Sequence, residues 1–233
     1  MPLAIITGSS RGLGLALARA LAERQWALVI DARGGRELER AARELGRITE
    51  VVALAGDVAD DWHRAALVDA AGEQVDLLVN NASLLGPSPQ PPLGRYPLDV
   101  LQRVYQVNVL APVALTQLVL PRMPDGSTII NLSSDAAATP YAGWGGYGSS
   151  KAALDQLSAI LAEEHPTLRI YSVDPGDMRT QMHQDAFPGE DISDRPPPEE
   201  SIPGLLTLIE RDLPSGRYRA RELPAGHRPA VPA

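Results

Sequence analysis

The sequence predicts a single α/β domain built on a doubly wound parallel sheet with helices on both faces. Short apolar, β-branched runs alternate with amphipathic helical patterns along the chain, as they do in successive strand–helix–strand units. The first run, residues 3–7, ends in a glycine-rich turn, TGSSRGLG, that leads directly into a helical pattern. A chain of 233 residues suffices for one such domain, 1–233, and no shift in composition marks a second one.

Composition narrows the possible functions before any motif is considered. The net charge of −8 argues against nucleic acid or an anionic membrane as the main partner. Cysteine is absent, which excludes disulfides and thiolate metal sites, and no metal site is predicted. The first residues carry no basic leader, and no uninterrupted apolar run approaches the roughly 20 residues of a membrane span. We therefore expect a cytoplasmic protein that binds neither membranes nor nucleic acid.

The glycine-rich turn after the first strand is a candidate binding element. Gly8, Gly12 and Gly14 punctuate it, and an amphipathic helix is predicted from about Leu13 to Gln25. Glycines let the backbone approach a pyrophosphate, and a helix N-terminus offers free N–H groups and a favourable dipole. A tight turn without a ligand would use the same residues. The position between strand and helix favours dinucleotide binding.

The residues after the second strand, 27–30, indicate which dinucleotide would bind. Asp31 lies near the offset expected for an acid that binds the ribose 2′-hydroxyl of NAD. Arg33, together with Arg11 in the glycine turn, could instead bracket the 2′-phosphate of NADP. Either arginine alone would usually be a solvated surface charge. As a pair they favour NADP(H) over NAD(H).

The alternation continues with a helix, a strand, a second helix and a second strand, over residues 35–46, 51–55, 60–73 and 75–79. Asp57, just beyond the third strand, could accept a hydrogen bond from an adenine amino group or cap the following helix. His63, near the start of that helix, is expected at the surface. The fourth strand delivers Asn80-Asn81-Ala82-Ser83 to the sheet edge at which parallel α/β folds bind ligands.

Two segments without clear periodicity are predicted to border the site on its substrate side. Residues 84–97 are rich in proline and are predicted to roof the site. The segment 177–200 is the second, and within it residues 185–200 are polar and rich in proline and could act as a mobile lid. A long helix is predicted over 98–122, with Asn108 near its middle. Because asparagine has a poor helix propensity, Asn108 is expected to be either a satisfied polar group or a functional one.

The most reactive side chains follow the fifth predicted strand, 128–132. Ser134 lies at the strand end, and Tyr147 and Lys151 open a predicted helix over 147–164. Their i, i+4 spacing lets them point into one pocket, although an exposed pair on any helix would have the same spacing. A phenol near an ammonium and a hydroxyl is suited to moving a proton to or from a carbonyl oxygen.

The last part of the chain completes the predicted sheet. A sixth strand over 168–173 is broken sharply by Asp174-Pro175-Gly176, and Thr180 follows. A last helix is predicted over about 199–211. Residues 223–233 are predicted to be a loose tail.

In order and spacing, these motifs resemble the short-chain dehydrogenase/reductase family, whose fold is Rossmann-like. TGSSRGLG resembles the family's cofactor turn, NNAS its NNAG motif and YGSSK its YxxxK motif, and the resemblance covers nearly the whole chain. It implies a catalytic set of Ser134, Tyr147, Lys151 and Asn108. Ser134 is chosen over Ser133 because its spacing from Tyr147 matches that of the family's catalytic serine.

The resemblance also implies a set of cofactor contacts. They are Gly8, Ser10, Arg11, Gly12, Leu13, Gly14, Arg33, Asp57, Val58, Asn81, Ala82, Tyr147, Lys151, Pro175, Gly176 and Thr180. In relatives, the NAD-selecting acid occupies the position of Ala32 and the arginine of NADP-binding members falls at Arg33, which supports NADP(H). Two departures are Ser83, where NNAG has glycine, and the chain after Ser215, which lacks a glycine-rich ending. Neither departure is expected to affect the catalytic residues.

The implied activity is the reversible reduction of a ketone or aldehyde by NADPH. Tyr147 would protonate the forming alkoxide, and Lys151, beside the oxidised nicotinamide, would lower the phenol pKa from its usual value of about 10. Lys151 would also bind the nicotinamide ribose. Ser134 would hold the substrate oxygen, and Asn108 would hold a water that joins Lys151 to solvent.

Two alternatives to this activity are an NAD-dependent alcohol dehydrogenase of the same family and a nucleotide-binding relative without turnover. The intact set of reactive residues favours an enzyme. The family is usually dimeric or tetrameric, often through helices equivalent to 98–122 and 147–164. We therefore expect a homodimer or homotetramer that acts on a small carbonyl or alcohol substrate.

Overall fold

The computed structural model describes residues 1–224, which form a seven-stranded sheet flanked by helices on both faces. The strands are β1 Leu3–Ile6, β2 Ala27–Ala32, β3 Val51–Ala55, β4 Leu77–Asn80, β5 Thr128–Leu132, β6 Arg169–Asp174 and β7 Gly216–Arg219. They lie in the order β3-β2-β1-β4-β5-β6-β7, and every neighbouring pair is parallel. The predicted fold class, a Rossmann-like doubly wound α/β domain, is confirmed.

The helices connect these strands and cover the sheet. They are α1 Gly12–Ala22, α2 Gly35–Leu45, α3 Asp61–Ala71, α4 Leu98–Tyr105, α5 Ala111–Val119, α6 Gly145–Glu164, α7 Gln181–Ala186 and α8 Ile202–Glu210. A π-helical segment, Gln106–Leu110, joins α4 to α5, so the helix predicted over 98–122 is continuous but changes its pitch in the middle. Pro112 contributes to this change because it has no N–H for an α-helical bond to the Asn108 carbonyl.

The helical stretch Leu98–Arg122 is long and apolar enough, by length and composition, to cross a membrane. Half of its most apolar window is nevertheless buried inside the protein. Its inner side chains, among them Val104, Leu115 and Val119, pack into the protein interior as those of a core helix do.

The core lies on both faces of the sheet, because successive side chains of a strand point to opposite faces. Ile6 and Ile30 belong to the larger cluster, which α1 and α8 cover. Ile5 and Val29 belong to the second cluster, with residues of α3 and α5. Since all strands are parallel, their carboxyl ends meet at one edge, and the chain reverses its winding direction between β1 and β4. Ligands bind at such a reversal point in open α/β sheets.

The end of the chain differs from the prediction. Strand β7 was not predicted because its four residues, GRYR, contain no apolar run, yet it pairs with β6 at the sheet edge. Leu223 packs against the core and the Pro224 carbonyl accepts a hydrogen bond from Thr207 Oγ1 at 2.6 Å. The start of the predicted loose tail is therefore attached. The rest of that tail, 225–233, lies outside the described residues.

The two predicted loops meet above the carboxyl edge. Residues 84–97 hold only one short turn of 3-10 helix, Leu93–Arg95, whereas 177–200 contains α7. The Ser88 hydroxyl donates a hydrogen bond of 2.6 Å to the Asp185 carbonyl and so links one loop to the other. The mobility expected for the second segment stays a prediction.

Candidate active site

A cleft of about 850 Å³ lies along the carboxyl edge of the sheet. Fourteen of the sixteen predicted cofactor residues line it: Gly8, Ser10, Arg11, Gly12, Leu13, Arg33, Asp57, Val58, Asn81, Ala82, Tyr147, Lys151, Pro175 and Thr180. Of the other two, Gly14 lies beneath the glycine turn and Gly176 lines a smaller adjoining cavity. The fold thus gathers residues from six separate segments at one place.

The glycine turn is held tightly against the end of β4. Gly8 has a φ of +70°, and a Cβ on Gly14 would lie 2.5 Å from the Gly8 carbonyl oxygen. The Asn81 side-chain amide donates to the Thr7 carbonyl at 2.7 Å and to the Gly8 carbonyl at 3.1 Å. These contacts explain why the turn needs glycine at both positions. They also bring the N-terminus of α1 to the cleft, where an anionic group can bind.

Asp31 is not available to a ribose. Strand β2 continues to Ala32, so Asp31 lies inside the strand and is almost completely buried. One carboxylate oxygen accepts the Gly8 N–H at 2.7 Å, and the other lies 3.0 Å from His63 Nε2. His63 was expected at the surface, but its side chain is only 9% exposed because it covers this carboxylate. Asp31 therefore supports the glycine turn from within the protein.

Arg11 and Arg33 border the cleft as exposed side chains. Within residues 1–224, neither guanidinium has a carboxylate partner. Other arginines of this protein, such as Arg19 with Glu44, form ion pairs. Two guanidiniums without ion-pair partners beside a cleft fit a phosphate group, which they can bind through charge-assisted hydrogen bonds.

Asp57 lies at the cleft but does not cap the following helix. Its carboxylate accepts the Ala59 N–H at 2.9 Å and pairs with Arg103. The cap of α3 is Asp60, which accepts the Trp62 N–H at 2.9 Å. The capping interpretation of Asp57 is therefore wrong, because Asp60 holds the N-cap position of α3.

Tyr147 and Lys151 share one face of α6, which begins at Gly145, and both are buried. Lys151 Nζ donates to the Leu132 carbonyl at 2.7 Å and lies 5.5 Å from the centre of the Tyr147 ring. Burial lowers the pKa of Lys151 from 10.5 to about 8. Burial raises the pKa of the Tyr147 phenol, and the carboxylates of Asp174 and Asp135 raise it further. The unliganded site thus holds a neutral phenol.

Two hydroxyls lie beside this phenol and oppose the rise in its pKa, those of Ser83 and Ser134. Ser134 Oγ donates to Asp135 Oδ1 at 3.0 Å and accepts the Ala136 N–H at 3.2 Å. Ser133 is more deeply buried, and among the described residues its hydroxyl has no hydrogen-bond partner. The geometry therefore places Ser134, rather than Ser133, next to the phenol.

Asn108 is completely buried within the π-helical segment. Its amide nitrogen donates to the Leu84 carbonyl at 2.9 Å and to Ser150 Oγ at 3.0 Å. Its amide oxygen accepts the Leu84 N–H at 2.8 Å and the Ser83 hydroxyl at 3.2 Å. All four hydrogen-bonding positions of the side chain are thus taken by protein groups. The expected water cannot bind this side chain unless one of those groups leaves.

Ser83 is a site residue whose importance the sequence analysis missed. Its hydroxyl lies between Asn108 and Tyr147, so the expectation that this departure from NNAG leaves the catalytic set untouched is wrong. A hydroxyl at a position where relatives have glycine was the available signal. Its position relative to the phenol could not be derived before the loop was seen.

A second cavity, of about 100 Å³, adjoins the cleft at Tyr147. Leu85, from the first loop, and Met178 and Met182, from the second, contribute its apolar lining. Trp144 forms another wall, with its ring centre 5.9 Å from that of Tyr147. Ser134 lines this cavity, so a molecule bound there would lie against the hydroxyl and the phenol together.

A parallel sheet with a glycine-rich anion site and a buried tyrosine–lysine pair is the arrangement of nicotinamide-dependent oxidoreductases. The sequence matches the family model of the short chain dehydrogenases over residues 2–191, and the chain belongs to that family. The predicted family and the prediction of an oxidoreductase enzyme are both confirmed.

The chain is similar to proteins with related activities. It is 32% identical to sepiapterin reductase of Bos taurus, over 78% of this chain and 74% of that protein. It is 34% identical to the (S)-benzoin-forming benzil reductase of Bacillus subtilis, over 78% and 76%. A short chain dehydrogenase of Shigella flexneri, solved in complex with NADP, superposes with a TM-score of 0.86 at 28% identity, covering 94% of this chain and 97% of that one.

Proposed function

We propose that this enzyme catalyses the reversible reduction of a ketone or aldehyde to an alcohol with NADPH. The observation that supports it is the buried neutral phenol of Tyr147, at the junction of the cleft and the smaller cavity. NADPH supplies a hydride to the carbonyl carbon while Tyr147 gives its proton to the carbonyl oxygen, which yields the alcohol and NADP⁺.

The surrounding residues suit this proton transfer. Burial excludes water from the phenol, and Ser134 can donate to the substrate oxygen if its hydroxyl turns away from Asp135. Lys151, with its pKa near 8, can return a proton to Tyr147. The main-chain carbonyl of Asn108, to which Pro112 cannot donate, is the better candidate for the water that joins Lys151 to solvent.

The cofactor best supported by the cleft is NADP(H). Arg11 and Arg33 line it and offer two cations that have no ion-pair partner within residues 1–224. Ala32 is apolar and Asp31 is engaged by Gly8, so neither of these two positions offers a carboxylate to the ribose 2′-hydroxyl of NAD. The similar protein solved with NADP agrees with this assignment. The glycine turn, Lys151 and Thr180 would hold the rest of the dinucleotide.

Carbonyl reduction is also the activity for which two relatives are named, sepiapterin reductase and benzil reductase. The apolar lining by Leu85, Trp144, Met178 and Met182 suits a partly apolar substrate. Both features support a carbonyl compound with an apolar part as the substrate.

The oligomer we propose uses the outer faces of the two longest helical stretches. Tyr105 on α4 donates to Ser149 on α6 at 3.1 Å, so the two stretches lie side by side. Large apolar side chains are exposed along both: Leu98, Leu110, Leu118, Leu157 and Ile160. Such exposed apolar faces usually mark an interface. A second copy of the chain would cover them in a homodimer, or in a homotetramer.

The experiment that tests the activity follows NADPH consumption with a panel of ketones, aldehydes and quinones. Tyr147→Phe should lower kcat at least about 100-fold, because it removes the transferred proton, and should leave NADPH affinity nearly intact. Tyr105→Phe loses the same hydroxyl at the surface and should retain activity.

Three results would contradict the proposal. Near-normal activity of Tyr147→Phe would remove this residue as the acid. Tight NADPH binding without turnover of any carbonyl would indicate a nucleotide-binding relative. A marked preference for NADH, with alcohols as substrates, would indicate an NAD-dependent dehydrogenase.

A further inference from the structure

The smaller cavity beside Tyr147 carries a negative charge that the proposed chemistry does not use. Three carboxylates line it, those of Asp135, Asp174 and Asp177, and no lysine or arginine does. His183 is the one basic side chain among the lining residues. Its Nδ1 lies 3.8 Å from an Asp177 carboxylate oxygen. A site for a neutral carbonyl compound has no need of this arrangement.

Asp174 is the most informative of the three because it is 94% buried, with 6% of its surface exposed. Its Oδ1 accepts the Gly176 N–H at 2.9 Å. Among the described residues, Oδ2 has no hydrogen-bond donor, and its nearest cation is Arg219 Nε at 4.0 Å. Arg219 is 56% exposed and pairs more closely with Glu222, at 3.0 Å. Burial raises the pKa of Asp174, as expected for a carboxylate without a close cation.

In the part of the chain that the structure describes, the other two carboxylates also have no lysine or arginine paired with them. Asp135 accepts two neutral hydroxyls, from Ser134 at 3.0 Å and from Tyr141 at 2.9 Å. Two neighbouring arginines donate to other groups than these three carboxylates: Arg217 pairs with Asp155 and donates to the Ser134 carbonyl at 2.9 Å, and Arg221 donates to the Ser201 hydroxyl and the Asp177 carbonyl. The negative charge at the cavity is therefore incompletely compensated by the protein.

Aromatic rings complete the surroundings of these carboxylates. Trp144 lines the cavity, and its ring centre lies 5.8 Å from that of Phe187 and 6.3 Å from that of Tyr141. Aromatic faces attract cations through their quadrupoles, and more strongly where water is excluded. Carboxylates and aromatic rings together favour a cation over an anion or a neutral group.

We propose that the carbonyl compound reduced at this site carries a cationic group, such as a protonated amine, which Asp174 and its neighbouring carboxylates bind against Trp144. This inference rests on the proposed carbonyl reduction. Asp174 closes β6 and Ser134 follows β5, and these strands are adjacent, so one compact molecule can contact the carboxylate and the hydroxyl at once. A substrate with a carboxylate or phosphate near its carbonyl would be repelled.

The test compares three acetophenones that differ only in the para substituent: aminomethyl, ethyl and carboxylate. They are similar in shape and are cationic, neutral and anionic at neutral pH. Calorimetry measures their binding to the full-length protein, alone and with NADP⁺, and NADPH consumption measures their turnover. The cationic ketone should bind about tenfold more tightly than the neutral one, and the anionic ketone most weakly.

Asp174→Asn should reduce the cation-to-neutral ratio of affinities towards one. Asp177→Asn should also reduce this ratio, but by less. Because Asp177 is exposed, this variant should fold normally and tests the inference even if Asp174→Asn does not fold. Asp125→Asn removes the same charge at the opposite edge of the sheet and should leave the ratio unchanged.

Equal binding of the cationic and neutral ketones, or a cation preference that survives both Asp174→Asn and Asp177→Asn, would overturn the inference. Failure of the proposed activity has a different signature. If the cationic ketone is preferred in binding but no ketone consumes NADPH, the charge preference stands and the proposed reduction fails.

Discussion

Lys151 is the single lysine of the sequence, and the other cationic residues are arginines. The difference is meaningful because an arginine side chain cannot lose its proton in a protein, whereas the pKa of a buried lysine falls readily. At residue 151 the fold buries the amine beside the phenol and lowers its pKa to about 8. Of the two basic side chains compared here, only lysine can therefore serve the proton exchange with Tyr147 that we propose.

This burial predicts how the stability of the unliganded protein depends on pH. Between about pH 8 and 10.5 the native state binds fewer protons at Lys151 than the unfolded state does, so stability should rise with pH. The rise from this group is at most about 3 kcal/mol. Above pH 10, Tyr147 should lower the stability as the pH rises, because its raised pKa keeps the phenol protonated in the native state. Urea unfolding at a series of pH values measures both effects.

Lys151→Met serves as the matched variant. It should be more stable than the unsubstituted protein at pH 7, and the difference should shrink above pH 8. The rate of amine labelling against pH reports the Lys151 pKa directly, because only the N-terminus offers another amine. A labelling pKa near the ordinary value of 10.5 would contradict the prediction.

The proposed preference for NADP(H) over NAD(H) also depends on single residues. Arg33→Ala should weaken NADPH binding by about tenfold or more, since it removes a charge-assisted contact to the 2′-phosphate, and should change NADH binding little. Fluorescence titration of both cofactors measures the effect. Arg36→Ala, at an exposed arginine of α2 outside the cleft lining, is the control. Equal losses for both cofactors would show that Arg33 does not contact the phosphate.

At the scale of elements, the end of the chain is packed more tightly than its sequence indicates. Helix α8 contacts the turn after β7 through Gly204, where a Cβ would overlap the Ala220 carbonyl. This contact, with the Thr207 bond to Pro224, attaches the last described residues to the core. A glycine inside a predicted helix was the only sign of it.

Gly204→Ala should therefore destabilise the protein by about 2 kcal/mol or more, since the backbone of Ala220 has to move away. Urea unfolding at neutral pH gives the change. Gly94→Ala is the matched control, because a Cβ at Gly94 meets no atom within 4 Å. A stability of Gly204→Ala equal to that of the control would mean that α8 packs differently.

Three elements beneath the site are joined by a buried chain of polar side chains. Asn80, at the end of β4, donates to Asn131 of β5 at 2.8 Å, and Asn131 donates to Ser158 of α6 at 2.8 Å. Ser158 in turn donates to the Leu154 carbonyl at 2.7 Å. Such satisfied networks hold elements at a defined distance. Here the network positions α6, and with it Tyr147 and Lys151, relative to the sheet.

At the scale of the whole molecule, the exposed apolar side chains of the two long helical stretches allow the proposed dimer or tetramer to be tested. Ile160→Asp introduces a charge among these side chains and should shift a dimer or tetramer towards monomers, because burying a charge without a partner costs free energy. Sedimentation velocity measures the change. Ile48→Asp, at an isoleucine of similar exposure away from the two helical stretches, should leave the assembly intact. A protein that is monomeric without any substitution would contradict the proposed interface.

Much of this molecule was open to prediction from residue type and spacing. Alternating apolar runs indicated the parallel sheet, and the motifs around Gly8, Tyr147 and Lys151 indicated the positions of cleft and pocket. Strand β7 was not predicted, because a strand at the edge of the sheet does not need an apolar run. The surroundings of Asp31 also escaped prediction, because β2 continues two residues beyond Ile30 and the buried carboxylate binds Gly8 and His63.

The sequence by itself determined the order of the first six strands, the family and the candidate residues for proton transfer, because these follow from local periodicity and motif spacing. Only the tertiary structure decided which polar atoms remain available for a ligand. The Asn108 amide is bound by Leu84, Ser83 and Ser150, whereas Asp174 lines the cavity and one of its oxygens has no donor within residues 1–224. Hydrogen bonds between residues far apart in the chain depend on distances that no local pattern specifies.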